Sequence, residues 1–102
     1  MLKTLEDLIN IIRDRKNSSP EESYTKKLLE DKTLITEKVK EEIAELIESV
    51  ENNSNKINEA ADVLYHLVVY LEANGDKIED VMEELNKRKK WVTMIIIFLQ
   101  KS

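Results

Sequence analysis

The chain reads as an all-α domain of four main helices, and three observations predict it. Apolar residues recur at the 3.6-residue spacing of a helix in four separate stretches. The 102 residues include one Gly and one Pro, far fewer turn formers than the many short connections of a sheet sandwich require. Charged residues make up 36% and hydrophobic ones 41%, with only 5% aromatic, a balance suited to amphipathic helices. A chain of this size forms one small domain with limited capacity to bury a core of its own.

The first helix is predicted from about Leu5 to Lys16. Leu5, Leu8, Ile9 and Ile12 form one stripe, Thr4 is the N-cap and Asp7 lies in the first turn. Residues 17–23, Asn-Ser-Ser-Pro-Glu-Glu-Ser, form a loop, and Tyr24 to Asp31 one or two helical turns. A second long helix covers about Leu34 to Glu51, its period carried by Ile35, Val39, Ile43, Leu46, Ile47 and Val50. The polar run at 52–55 breaks it. The third, about Lys56 to Asn74, differs: from Ala60 to Leu71 only Asp62 and His66 are clearly polar. A helix apolar nearly all round is buried nearly all round. A chain this short cannot surround it alone, so a homodimer is expected to complete the bundle, with higher assembly left open. Gly75 is placed as a C-cap and Asp76 as the next N-cap, with Glu79 completing a capping box. The fourth helix then runs from about Lys77 to Lys89 with Ile78, Val81, Met82 and Leu85 facing inward. These elements make a domain over residues 1–90.

Residues 91–102 form an apolar tail, Trp91 followed by Val92 to Leu99. The run is far short of the roughly 20 residues of a membrane span. Its adjacent isoleucines leave helix and strand both open. It is read as packing against the domain or a second subunit, with weak membrane contact as the alternative.

Charge and composition narrow the function. A net charge of −5 leaves no broad basic surface for a nucleic-acid backbone. It still permits a phosphate-bearing ligand, because a bound cation inverts the local charge. With no cysteine there is no disulfide or thiolate chemistry. The first residues carry Glu6 and Asp7 where a signal peptide would be apolar, so a cytoplasmic location is expected.

Four acids stand apart. Glu42 and Glu45, then Glu59 and Asp62, are two i, i+3 pairs, each inside an apolar helical pattern. Residues three apart share a helix face. Set facing each other on adjacent helices, the pairs crowd four negative charges into one volume, which requires a cation. Asp62 argues most strongly, since an unpaired carboxylate in so apolar a segment costs several kcal/mol. Four carboxylates with no Cys or His among them favour a hard ion, Mg²⁺ or Mn²⁺. Glu6, Glu48, Glu51, Glu83 and Glu84 read instead as a solvated face.

The stretch Glu41-Glu42-Ile43-Ala44-Glu45, followed by Glu59-Ala60-Ala61-Asp62, resembles the EExxE…ExxD signature of the all-α nucleoside triphosphate pyrophosphohydrolases, the MazG-like superfamily. Within it, Ser23-Tyr24-Thr25 with Leu28, Glu37-Lys38-Val39, the run Asp62 to Leu67, and Glu84-Leu85 with Arg88 are similar to the phosphoribosyl-ATP pyrophosphohydrolases. The similarity covers about Leu5 to Arg88. It implies Mg²⁺-dependent hydrolysis of the α–β phosphoanhydride of phosphoribosyl-ATP to phosphoribosyl-AMP and pyrophosphate, the second step of histidine biosynthesis. By motif position it makes Glu42, Glu45, Glu59 and Asp62 the metal ligands. Glu41 projects about 100° from Glu42 around the helix. It is the candidate to orient or deprotonate the attacking water, against a plain solvated glutamate.

Other candidates carry alternatives of equal standing. Lys38 meets a phosphate or simply pairs with an acid one turn away. Ser23, Tyr24 and Thr25 offer hydroxyls to substrate, or a helix cap and a core-edge tyrosine. Arg88 is the one basic residue of the Lys87–Lys90 cluster assigned to substrate; the others complement a helix C-terminus. His66 reads as a satisfied core histidine. Two rival functions remain: a house-cleaning nucleotide pyrophosphohydrolase of the same superfamily, and a non-catalytic helical dimerisation module.

Overall fold

The computed structural model describes residues 2–101, apart from the side chains of Val92 and Lys101; Met1 and Ser102, the outer ends of the two expected segments, lie outside them. Five α-helices and one 3₁₀ turn make up the fold: α1 (Leu2–Asp14), the turn Arg15–Asn17, α2 (Tyr24–Glu30), α3 (Lys32–Glu51), α4 (Lys56–Ala73) and α5 (Ile78–Lys101). All described secondary structure is helical, as the spacing of apolar residues predicts.

Several boundaries differ from expectation for identifiable reasons. α1 is already helical at Leu2, so Thr4 lies inside it rather than capping it; the exposed pair Lys3–Asp7 supports this added turn. α1 stops at Asp14, and the chain tightens into the 3₁₀ turn before the loop. The side chain of Ser23 accepts a hydrogen bond from the Lys26 amide and caps α2, and Asp31 caps α3 through the Leu34 amide.

Ile9 and Ile12 of α1, Leu28 of α2, Ile35 of α3, and Val68 and Val69 of α4 form the buried core. The three α3 residues Ile43, Ile47 and Val50 stay exposed, as do Ile57 and Leu64 of α4. The third predicted helix is therefore not enclosed by its own chain.

Between α4 and α5 the backbone closes a Schellman motif. Gly75, at φ +79°, donates its amide to the Glu72 carbonyl, and Asp76 donates to the Leu71 carbonyl. The capping box expected of Asp76 and Glu79 is not made. Glu79 instead grips the Arg13 guanidinium, with Nη1 at 2.7 Å and Nη2 at 2.5 Å from its two oxygens. Arg13 Nε and Lys16 Nζ also reach the buried Glu72, at 2.6 and 2.8 Å. One ionic cluster thus ties α1 to α4 and α5.

α5 runs on through the apolar tail, which settles the tail as helix. The packing expected of it was against the domain or a second subunit, and within the single chain several of its large side chains are not buried on the domain. Trp91, Met94, Ile96 and Phe98 are exposed, and so are Met82 and Leu85, predicted to face inward. The radius of gyration, 16.6 Å, exceeds the ~13 Å of a compact chain this long because α5 projects from the bundle.

Candidate metal and active site

α3 and α4 are joined by four polar residues, two of which, Asn53 and Asn55, take the left-handed conformation at φ 52° and 56°. Asparagine tolerates that region better than other side chains with a Cβ. The chain therefore reverses at once and lays α4 beside α3.

This return brings the acids together. One carboxylate oxygen from each of Glu41, Glu42 and Glu45 lies within 4.8 Å of the others, and the same holds for Glu42, Glu59 and Asp62. Glu42 belongs to both groups, so all five acids converge on it. Glu41 is exposed while Glu42, Glu45, Glu59 and Asp62 are partly buried. Oε2 of Glu42 and Oε2 of Glu59 are shielded from solvent and have no hydrogen-bond partner. Among the described residues no Lys or Arg pairs with Glu42, Glu45, Glu59 or Asp62.

Shielded, unpaired carboxylate oxygens are costly. Burial pushes the Glu42 carboxyl above its ordinary value, and the neighbouring Glu45 and Asp62 push it further, with His66 opposing. Burial likewise raises Glu59, helped by Glu45 and Asp62. The donor set consists of hard oxygens, with orphaned atoms at its centre, and it fits a divalent cation of the Mg²⁺ type.

A second set of groups borders the acids. Lys38 Nζ lies 3.4 Å from Glu41, and this contact raises the lysine above its usual range. His66 is buried. Its Nδ1 lies 2.7 Å from the Asp62 carbonyl, which can only accept, so Nδ1 carries a proton. Nε2 is 3.2 Å from the Tyr24 hydroxyl. Tyr24 stacks at 6.5 Å on Tyr65, whose hydroxyl bonds Thr25 Oγ1. Burial raises Tyr24, with Lys38 opposing and Glu42 and Glu41 adding to the rise.

The candidates from sequence thus fall into three positions. Glu41, Glu42, Glu45, Glu59 and Asp62 share one cluster, and Lys38 and Tyr24 border it. The hydroxyls of Ser23 and Thr25 are engaged in capping α2 and in bonding Tyr65. Arg88 stands apart on α5, where Nε bonds Glu84 at 3.2 Å on an exposed face. The Tyr24–His66 and Thr25–Tyr65 contacts were not anticipated, because their partners lie 42 and 40 positions apart in sequence.

Comparison with known proteins gives the family. A family model described as phosphoribosyl-ATP pyrophosphohydrolase matches residues 5–89. A phosphoribosyl-ATP pyrophosphatase of Clostridium novyi is 43% identical over 89% of this chain and 86% of its own length. One from Sulfurisphaera tokodaii is 46% identical over 84% of this chain and 95% of its own. A chloroplastic histidine biosynthesis bifunctional protein of Arabidopsis thaliana is 45% identical over 85% of this chain, which corresponds to 34% of that longer protein. With its five clustered acids inside the matched span, the chain belongs to the phosphoribosyl-ATP pyrophosphohydrolase family.

Proposed function

We propose that the chain is an enzyme that hydrolyses phosphoribosyl-ATP at its α–β phosphoanhydride, releasing phosphoribosyl-AMP and pyrophosphate, in histidine biosynthesis. The observation that carries the reading is the convergence of five carboxylates on Glu42, within the span that matches the family. The chain covers most of the length of several single-function relatives. No described helix is long and apolar enough to cross a membrane. The proposal places the enzyme in the cytoplasm.

Glu42, Glu45, Glu59 and Asp62 would hold Mg²⁺, with Mn²⁺ as a substitute. Bound there, the ion would neutralise the polyphosphate and polarise the phosphorus under attack. The residues of the chain supply the rest. Glu41, exposed at the edge of the cluster, orients the attacking water and accepts its proton. Lys38 exchanges its contact with Glu41 for a phosphate oxygen, which frees Glu41 for that role as substrate arrives. Tyr24, half exposed and held by His66, lines the approach, and Ser23 and Thr25 hold the start of α2 in place. Arg88, paired with Glu84 on α5 away from the cluster, is assigned to substrate by the resemblance alone.

A homodimer fits the apolar side chains left exposed on α3 and α4, Ile43, Ile47, Val50 and Leu64, which a second copy would cover.

Pyrophosphate release from phosphoribosyl-ATP in the presence of Mg²⁺ tests the reading. Wild type should turn over and Glu42→Gln should lose at least a hundredfold, the order expected when a group that stabilises the transition state is removed. Rapid hydrolysis of canonical deoxynucleoside triphosphates with none of phosphoribosyl-ATP would assign the house-cleaning activity instead. Inertness to every nucleotide and to Mg²⁺ would leave a dimerisation module.

A further inference from the structure

His66 is buried as a core histidine would be, yet its two nitrogens join the Asp62 turn of α4 to a half-exposed tyrosine. Nδ1 donates to the Asp62 carbonyl at 2.7 Å, and Nε2 lies 3.2 Å from the Tyr24 hydroxyl. Among the described residues no carboxylate lies within ion-pair distance of the ring. Burial without a charged partner favours the neutral imidazole. Its second nitrogen can then only accept. Tyr24 therefore gives its proton to His66, and its hydroxyl turns toward the site an oxygen with lone pairs. Such an oxygen cannot bond a phosphate oxygen, which also only accepts. It can receive an ammonium.

The place of Tyr24 is not left to the loop before it. Tyr65 and His66, consecutive on α4, hold Thr25 and Tyr24, consecutive at the start of α2. The His66 ring packs edge to face on both tyrosines, at 4.9 Å from Tyr65 and 6.2 Å from Tyr24. Lys38, on the adjoining α3, is the cation that acts on Tyr24. Burial raises the phenol and Lys38 works against it; Glu41 raises the lysine and Tyr24 adds to the rise. The contact of Lys38 with Glu41, at 3.4 Å, is long for a charge-assisted bond, and an ammonium has three protons to give.

We propose that His66 is a positioning residue: by fixing the Tyr24 hydroxyl as an acceptor, it sets Lys38 for the polyphosphate of the substrate. One N–H of Lys38 then rests on Tyr24 and the others are left for phosphate. The proposal rests on the hydrolase reading above and adds to it a line of action from His66 through Tyr24 to Lys38.

Pyrophosphate release from phosphoribosyl-ATP at saturating Mg²⁺ tests it, with Tyr24→Phe, His66→Leu and the two combined. Each single variant should raise KM about tenfold and change kcat less than about twofold, the pattern of a lost hydrogen bond that helps to grip substrate. The double variant should do no worse than either single one, because His66 acts only through Tyr24. Tyr24→Phe should likewise add nothing to the KM rise of Lys38→Met. His66→Gln should recover most of the loss, since its amide offers an oxygen to Tyr24 and an N–H to Asp62. If His66→Leu fails to fold, His66→Asn, too short to reach Tyr24, takes its place in the cycle. Losses that multiply in the double variant overturn the proposal, as does a glutamine no better than leucine. A Mg²⁺ requirement that rises in His66→Leu but not in Tyr24→Phe also overturns it, by making His66 a support for Asp62 alone. Wild type that ignores phosphoribosyl-ATP but hydrolyses deoxynucleoside triphosphates sinks the substrate assignment instead, and the same cycle on those nucleotides then decides the role of His66. Inertness to every nucleotide overturns both.

Discussion

Glu42 lies where two groups of three acids meet, and its shielded oxygen has no partner. In metal-free protein it is a cost, since its ionised form is desolvated among like charges. Glu42→Gln should therefore leave metal-free stability unchanged or slightly raised, while abolishing stabilisation by Mg²⁺. Thermal unfolding with chelator and with Mg²⁺ measures both; a variant still stabilised by Mg²⁺ as strongly as wild type would remove Glu42 from the ligand set. His66 makes a different prediction. It satisfies the Tyr24 hydroxyl and the Asp62 carbonyl at once. Removing it as His66→Leu should cost about 1–3 kcal/mol, the range for buried polar groups left unpaired, and His66→Gln less, because an amide can replace part of the network. Urea unfolding of the two variants would show the order. The acids were legible in sequence because i, i+3 spacing is a local property of a helix. The role of Tyr24 was legible only as a pair of alternatives, since its partner is set by how α2 docks on α4.

At the scale of elements, long-range ion pairs settled what local patterns left open. Glu79 fits a capping box by spacing, yet Arg13, 66 positions away, takes its carboxylate with two hydrogen bonds. A bidentate, charge-assisted pair outweighs a single cap bond. Glu72 was not singled out as a buried acid, because the two cations that neutralise it lie on α1 and the turn after it. Arg13→Ala should destabilise by about 2–3 kcal/mol, below the 3–5 typical of a buried pair broken on one side, because Lys16 still reaches Glu72. Chemical denaturation measures it; a change under 0.5 kcal/mol, typical of surface sites, would mean the cluster is not structural. Helix ends set by backbone chemistry were easier to read. Gly75 was placed as a C-cap from sequence alone, and its left-handed φ bears that out. The tail was undecided between helix and strand because isoleucine runs carry no helical period. It became helix because extending an existing helix adds a hydrogen bond per residue without a new nucleus.

For the whole molecule, two groups of carboxyls pull stability in opposite directions with pH. Hydrogen bonds from Arg13 hold Glu79 down at about 2. Burial would raise Glu72, but Lys16 and Arg13 outweigh it and bring the carboxyl below its ordinary 4.5. A lowered carboxyl contributes stability that is present above its unfolded value and lost as pH falls through its folded one. Glu42 and Glu59 are raised above 4.5, burial first and neighbouring acids next. Their contribution is complete below 4.5 and is lost as pH rises through the folded values. Metal-free protein should therefore be most stable near pH 4.5, weakening on the acid side as the Arg13 cluster protonates and on the alkaline side as the acid cluster ionises. A cation binds only the ionised acids, so Mg²⁺ should lift the alkaline side alone, by ~2.7 kcal/mol at a hundredfold excess over its Kd. Melting temperature measured from pH 3 to pH 8, with chelator and with Mg²⁺, separates the two clusters in one experiment. Arg13→Ala should flatten the acid limb and Glu42→Gln the alkaline one. An alkaline limb that persists under saturating Mg²⁺ would mean that the acids on α3 and α4 do not share a cation.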